Sequence, residues 1–295
     1  MKIADRLFAF RVSLGESPLE AGELFSTLDA DFNTYDDLDN HTSVTTFYCA
    51  TVADREALLA KFRAAQKIWE SDLGVKVGGI ELVEIPKEEW SESWKKYFHP
   101  IEISDRLLVS PSWLSPQLKP KQKKLVIDPG MSFGTGQHAT TLYCLKCIDR
   151  LSAAANPPDS LLDAGCGSGI LTIAGALAGI PVIDAFDLDP DAVKIAAENL
   201  ALNGFPAIRP TVGDAAVYPG RPEKYALVCA NILGHLLIQF RHNIVRWVRP
   251  GGHLVLAGIL EKEFDAVSQA YTELGLAEVE RFTLREWTGG LFRAV

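Results

Sequence analysis

The chain has 295 residues, with 29 Lys/Arg against 38 Asp/Glu, a net charge of −9 and 47 % apolar residues. That length holds one large or two ordinary globular domains, and no apolar run is long enough to span a bilayer. Five cysteines, an odd number without the spacing of a disulfide framework, fit a reduced, cytoplasmic protein.

The first residues, MKIADRLFAFRVS, carry charge through their apolar part and lack a small-residue cleavage site, so they read as a strand and not as a signal peptide. Up to residue 85 the order is strand (RLFAFRVSL), helix (PLEAGELFSTL), strand (SVTTFYCATV), helix (REALLAKFRAAQKIW) and strand (GGIELVEIP). A further strand is expected within residues 30–40, which gives the βαββαβ order of a ferredoxin-like domain. The turn pair Ile85-Pro86 closes it. This part holds 8 Lys/Arg and 15 Asp/Glu, a net of −7, while residues 86–295 hold 21 and 23. Asp29, Asp31, Asp36, Asp37 and Asp39 crowd one short polar stretch, read as a solvated acidic loop. An acidic module repels nucleic acid and attracts a basic partner.

KEEWSESWKKYFHP follows, an amphipathic connecting helix within residues 86–100. Trp90, Trp94 and Tyr97 fall at i, i+4 and i+7, on one face, and read as packing at a seam between domains. From residue 101 to 295 the alternation is that of a doubly wound α/β sheet. Strands are expected near 125–128, 161–164, 182–187, 208–212, 225–230 and 253–258. DPDAVKIAAENLALNG is a helix opening on an Asp-Pro cap and ending at Gly204. The tail offers two more strand-like runs, with a glycine turn at Thr288-Gly289-Gly290 suggesting a closing antiparallel hairpin. Cys144 and Cys147 form one C-x-x-C in a helix, too few ligands for a structural zinc site, and read as small helix residues; no metal site is expected.

The segment SLLDAGCGSGILTIAGALAG reads as a buried strand, a glycine-rich turn and an apolar helix. In the turn, Gly165-Cys166-Gly167-Ser168-Gly169 follows Asp163. Glycines let the backbone turn sharply and pass close to a ligand, and the helix N-terminus favours an anionic group there. Asp187 ends the next strand, where nucleotide-binding α/β folds place an acceptor for ribose hydroxyls. The spacing is G-x-G-x-G, not the G-x-G-x-x-G of dinucleotide sites. With Asp163 before it, the turn resembles that of class I methyltransferases, which points to S-adenosylmethionine, whose methionine end needs one donor and one acceptor, rather than NAD.

Two further segments fall where such sheets bind ligands. KLVIDPGMSFGTGQHATTLYCL, residues 124–145, is a polar, glycine-rich loop that reads as a lid, with Phe133 over the adenine or the acceptor channel and His138 ordering the loop. Thr141 either reaches the methionine end of the cofactor or caps its helix. In YALVCANILGHLL, Asn231 ends a buried strand, where its amide either orients a substrate amine or caps the next helix.

Taken in order, EWSESWKKYFHP, LVIDPGMSFGTGQHATT, LLDAGCGSGIL, DLDPDAV, ANIL and AGIL at residues 257–260 resemble the PrmA family, bacterial methyltransferases of the large-subunit ribosomal protein L11. The likeness spans about residues 88–288. It implies an N-terminal ferredoxin-like domain (1–85) that recognises the substrate, a linker helix (86–100) and a methyltransferase domain (101–295). It implies that Thr141, Gly165, Cys166, Gly167, Gly169, Asp187 and Asn231 contact S-adenosylmethionine, with Asp214 of VGDAA meeting the adenine amino group. Ala139 after His138, where many members have Pro, and Gly234-His235 after ANIL depart from the family pattern. The expected activity is methylation of lysine amines, with the N-terminal amine as a second acceptor. A related lysine methyltransferase with another protein substrate and a non-catalytic ribosome-binding factor stand as alternatives.

Overall fold

A computed structural model describes residues 6–14, 25, 28, 30, 32–37, 42–72, 77–86, 98–128 and 138–295. The chain divides into two compact units, Met1–Phe98 and His99–Val295.

In the first unit, strands β1 (Arg6–Leu14), β2 (Phe32–Asp37), β3 (Thr42–Cys49) and β4 (Val77–Pro86) form one antiparallel sheet in the order β2-β3-β1-β4. Helix α1 (Val52–Asp72) joins β3 to β4. It starts where Thr51 Oγ accepts the Asp54 N–H at 3.1 Å and donates to the Asp54 carboxylate at 2.7 Å, filling one of the helix's free N-terminal donors. Along β1, Phe10 and Val12 turn inward by the two-residue period of a strand. Phe10 stacks on Phe47 at 4.8 Å, and Phe25, Phe62 and Trp69 complete an aromatic core.

Two expectations change here. Ile85 and Pro86 are not a turn; they end β4, opposite Leu7 and Arg6. Proline is tolerated there because β4 is an edge strand. Asp36 and Asp37 end β2 instead of lying in a loop, while Asp29, Asp31 and Asp39 lie outside the described residues. Trp90, Trp94 and Tyr97 also lie outside them.

The second unit opens with a small sheet of β5 (Ile101–Glu102), β6 (Leu107–Ser110) and β7 (Lys123–Val126). The main sheet has seven strands: β8 (Ser160–Ala164), β9 (Val182–Asp187), β10 (Thr211–Val212), β11 (Tyr225–Asn231), β12 (Val248–Leu260), β13 (Leu276–Leu284) and β14 (Trp287–Ala294). Their order is β10-β9-β8-β11-β12-β14-β13, with β8 to β12 parallel and β14 antiparallel to both its neighbours. Helices α2 (Ala139–Ser152), α3 (Ile170–Ala178), α4 (Pro190–Leu202), α5 (Gly234–Trp247) and α6 (Glu261–Thr272) cover it.

Successive residues of the central strands feed two cores. Leu161, Leu227 and Val255 pack with α2 and α3, whereas Leu162, Val228, Leu254 and Leu256 pack with α5 and α6. Burial on both faces explains why these strands read as continuous apolar runs. The segment at 125–128 was expected in this sheet but belongs to the small one. Its outer edge meets the side chain of Asn203 and, among the described residues, no strand: Val126 N–H donates to Asn203 Oδ1 at 2.8 Å and Val126 O accepts from Asn203 Nδ2 at 2.7 Å. The closing hairpin is present, but its turn is Arg285-Glu286, with Arg285 at φ 56°. Gly289 and Gly290 lie inside β14. A Cβ on Gly289 would stand 2.3 Å from the Tyr143 ring, and one on Gly290 2.7 Å from Phe264, so close packing demands glycine here and not a turn.

Candidate cofactor and acceptor site

Strand β8 pairs with β9 on one side and β11 on the other, so the connections leave it in opposite directions. A crevice opens at that point outside the carboxyl ends of parallel strands. The register places the site in one row. Ala164 faces Phe186 and Ala230, so the next residues, Gly165, Asp187 and Asn231, come out side by side at the carboxyl edge. Val212 pairs with Asp187, which brings Asp214 to the same edge two residues further on.

The turn after β8 is held by its own backbone. Gly165 and Cys166 N–H both donate to Phe186 O, at 2.9 and 3.0 Å, and Gly169 N–H donates to Cys166 O at 2.8 Å. Gly165, Gly167 and Gly169 all have positive φ, at 76°, 51° and 78°. A Cβ on Gly165 would stand 2.6 Å from Ile232 Cγ2, and one on Gly169 3.0 Å from Ala196. Conformation and space therefore both exclude side chains here. Cys166 turns its buried side chain inward against Ala185 and Ala196; its N–H and carbonyl are both spent within the fold.

Asp187 bridges the turn to its own strand end. Its Oδ2 accepts the Gly167 N–H at 2.8 Å and its Oδ1 accepts the Asp189 N–H at 3.0 Å. Each carboxylate oxygen keeps a lone pair for a hydroxyl. Asp189 then caps α4 by accepting the Asp191 N–H at 2.9 Å, with Pro190 in the first turn. Asp214 Oδ1 accepts the Ala216 N–H at 2.8 Å.

Asp163 lies beneath the turn and is 1 % exposed. Its Oδ2 accepts both the Thr172 N–H, at 3.0 Å, and the Thr172 hydroxyl, at 2.6 Å. Its Oδ1 has no hydrogen-bond partner. Burial raises its pKa to about 6, opposed by the two Thr172 bonds and reinforced by the nearby Asp187 charge. An orphaned, buried carboxylate oxygen beside a glycine turn fits a ligand that brings a cationic donor. S-adenosylmethionine has an ammonium and ribose hydroxyls, and the Asp163 and Asp187 acceptors match both.

Helix α2 starts at His138, whose Nδ1 lies 2.8 Å from Thr140 Oγ and whose ring meets Trp287 at 4.9 Å. Burial lowers the His138 pKa, partly offset by Glu286, so the ring is mostly neutral at pH 7. Thr141 is buried in the first turn and is not the cap; the cap position is His138, whose side chain does not cap the helix's backbone N–H groups. Cys144, one turn along from Thr141, is close enough to Asp163 for that carboxylate to help raise its pKa. Phe133 lies outside the described residues. Asn231 does not cap α5 either, since the cap position is Leu233. Ile232 follows, packed between Gly165 and Gly258.

Gly258, within AGIL, supports the site by its packing, and so do Thr172, Ala196 and Asn199, which the local sequence did not single out. The roles of all four come from what folds against them. All five cysteines are free and buried, and burial pushes the Cys147 thiol up to about 11, so the C-x-x-C pair is inert helix packing. Among the described residues no cluster of His, Cys, Asp and Glu is placed to hold a metal ion, and no helix is long and apolar enough to cross a membrane.

The family model "Ribosomal protein L11 methyltransferase (PrmA)" matches residues 20–293. A ribosomal protein L11 methyltransferase of Bacillus cytotoxicus is 34 % identical over 218 residues, covering 73 % of this chain and 68 % of the relative. One from Bacillus cereus strain G9842 is 34 % identical over 224 residues, covering 75 % and 70 %. The crystal structure of a ribosomal protein L11 methylase from Lactobacillus delbrueckii subsp. bulgaricus superposes with a TM-score of 0.60 at 29 % identity, over 67 % of this chain and all of that one. With a glycine turn, an acidic strand end and a seven-stranded sheet of this order, matched along nearly its whole length, the chain belongs to the PrmA family of ribosomal protein L11 methyltransferases.

Proposed function

We propose that this protein methylates amino groups of ribosomal protein L11, lysine side chains foremost and the N-terminal amine as a second class. The coarser activity, S-adenosylmethionine-dependent methylation of that protein, is the activity of its family. The observation that supports this reading best is the row of Gly165, Asp187 and Asn231 at the carboxyl edge.

When bound, S-adenosylmethionine supplies a methyl group already electrophilic on a sulfonium. The protein's own task is placement and desolvation. In this reading Asp187 accepts the ribose hydroxyls, Asp163 Oδ1 faces the ammonium, and the turn from Gly165 through Cys166 and Gly167 to Gly169 lies under the methionine end. Thr141 approaches that end from α2, and Asp214 takes the adenine amino group. Asn231 would offer its amide oxygen to the acceptor amine and orient it. Neutralising a lysine of pKa near 10.4 at pH 7 costs about 4–5 kcal/mol, and an α-amine near 8 only about 1. A neighbouring cation lowers that cost by disfavouring the ammonium. Asn231, a neutral acceptor, would orient the amine without adding a negative charge that would hold the proton.

The acidic N-terminal unit, net −7 over residues 1–85, suits recognition of a basic ribosomal protein, away from nucleic acid and membrane, in the cytoplasm. The test is a methyl-transfer assay with purified L11 and labelled cofactor, followed by peptide mapping. Label on lysine and N-terminal amines is the expected result. Label confined to other side chains would overturn the amine assignment, and absence of turnover would favour the non-catalytic alternative.

A further inference from the structure

Helix α3 begins without a side-chain cap. Its cap position is Gly169, left-handed at φ 78°, which has no oxygen to offer the free N–H groups of the first turn. The N–H of Thr172, one of those free donors, goes to Asp163 Oδ2 at 3.0 Å, and the Thr172 hydroxyl goes to the same oxygen at 2.6 Å. The end of β8 thus lends α3 a cap from ahead of the glycine-rich turn.

The two bonds differ in what supplies them. The N–H belongs to the helix backbone and is there whatever side chain residue 172 carries. The hydroxyl is the side chain's own. One donor would leave the carboxylate free to pivot about a single contact; two donors on one oxygen fix its plane, and with it the direction of Oδ1, which has no hydrogen-bond partner. Asp163 is 1 % exposed and Thr172 0 %, so no bulk water replaces either group. A buried carboxylate with few donors takes up a proton, and each Thr172 bond opposes that.

We propose that the Thr172 hydroxyl is a positioning group for the cofactor site: by bonding Oδ2 it fixes the direction of the open Oδ1 of Asp163, and so selects for ligands that bring a cationic donor to that oxygen. This rests on the S-adenosylmethionine reading above only for the identity of the ligand.

The experiment reads Asp163 directly. The other titratable groups facing it are Asp187 across the turn and the thiols of Cys144 on α2, Cys166 in the turn and Cys229 on β11, all three held un-ionised by burial. Asp163 is titrated in ligand-free protein by carboxyl-carbon NMR, in wild type, Thr172→Val and Thr172→Ser. Thr172→Val keeps the backbone bond and removes one donor to the charged form, so the Asp163 midpoint should rise by about one pH unit. Affinity for S-adenosylhomocysteine at pH 7 should fall about tenfold and recover in part as pH rises through the new midpoint. Methylthioadenosine, which shares the adenosine but carries neither ammonium nor carboxylate, should bind the variant as it binds wild type. Thr172→Ser retains the hydroxyl and should keep both the midpoint and the affinity near wild type.

An unmoved midpoint in Thr172→Val would overturn the proposal, since a merely structural hydroxyl would change stability alone. So would an equal loss of affinity for the two ligands, or a Thr172→Ser variant that behaves as Thr172→Val does. If Thr172→Val does not fold, Thr172→Ala, a better helix former without a hydroxyl, gives the same reading. If wild type binds no S-adenosyl ligand, the cofactor assignment fails, and the ligand-free titration still decides whether the Thr172 hydroxyl governs Asp163.

Discussion

Gly258 lies directly against the backbone of Ile232: a Cβ at residue 258 would stand 2.5 Å from the Ile232 carbonyl oxygen, and its φ of 81° already disfavours any side chain. Ile232 in turn fills the space over Gly165. The end of β12 thus holds the loop that carries Asn231 against the glycine turn. We expect Gly258→Ala to destabilise the protein by about 2–3 kcal/mol, through strain and a backbone clash. In the surviving folded protein, methyl transfer should fall more than cofactor affinity, because the displaced loop bears Asn231. Denaturant unfolding and separate kcat and Kd measurements check this; unchanged kcat would show that the loop tolerates the shift.

Asp187 accepts two backbone N–H groups, from Gly167 and Asp189, before any ligand arrives. Replacement by Ala leaves both without their acceptor and, in the proposed role, removes the ribose acceptor too. Charged hydrogen bonds are worth about 1.5–3 kcal/mol each, so Asp187→Ala should weaken cofactor binding by about 2–4 kcal/mol. Calorimetry on the folded variant decides it, and wild-type affinity would remove Asp187 from the site.

Asp163 has a pKa raised to about 6, above the 3.9 of an unfolded chain. A raised carboxyl pKa means that folding favours the protonated form. Its contribution to stability is complete below about pH 4 and is lost as pH rises through 6. Two units correspond to about 3 kcal/mol. Asp163→Asn has no such titration, so the stability difference between variant and wild type should move by roughly that amount, in the variant's favour, from pH 4 to pH 7. Urea unfolding at the two pH values measures it; a constant difference would place Asp163 at an ordinary pKa.

Asn231 ends β11 and does not cap the following helix. Asn231→Asp should therefore leave thermal stability close to wild type. A carboxylate beside an amine favours the protonated, unreactive form. The methylation rate at pH 7 should drop at least about tenfold, which is roughly 1.4 kcal/mol on the barrier, with part recovered at higher pH. A stable variant with wild-type turnover would make Asn231 a structural residue.

The two units have separate hydrophobic cores, one built on Phe10, Phe25, Phe47 and Phe62, the others on the seven-stranded sheet. A fragment of residues 99–295 should bind S-adenosylmethionine with near full-length affinity and lose methylation of L11 by about two orders of magnitude, roughly 2.7 kcal/mol. Full activity in the fragment would end the recognition role assigned to the first unit.

What the sequence alone determined was local or periodic. The positive-φ turn at Gly165, Gly167 and Gly169 needs glycines wherever it occurs, and the Asp189-Pro190 cap starts a helix from adjacent residues. The two-residue alternation of β1 and the apolar runs of β8 and β11 likewise follow from which faces are buried. Tertiary structure decided everything that depends on a distant partner. KLVI at residues 124–127 is a good strand in any sheet; the Asn203 amide at its edge, 77 residues away, closes it off from the larger one. Gly289 and Gly290 look like a turn until Tyr143 and Phe264 press on them. Asp163 reads as one more motif acid, but its orphaned oxygen exists because Thr172, in the first turn of the next helix, gives both its N–H and its hydroxyl to the other oxygen. Hydrogen-bond partners and steric neighbours are properties of the folded arrangement, and no spacing along the chain encodes them.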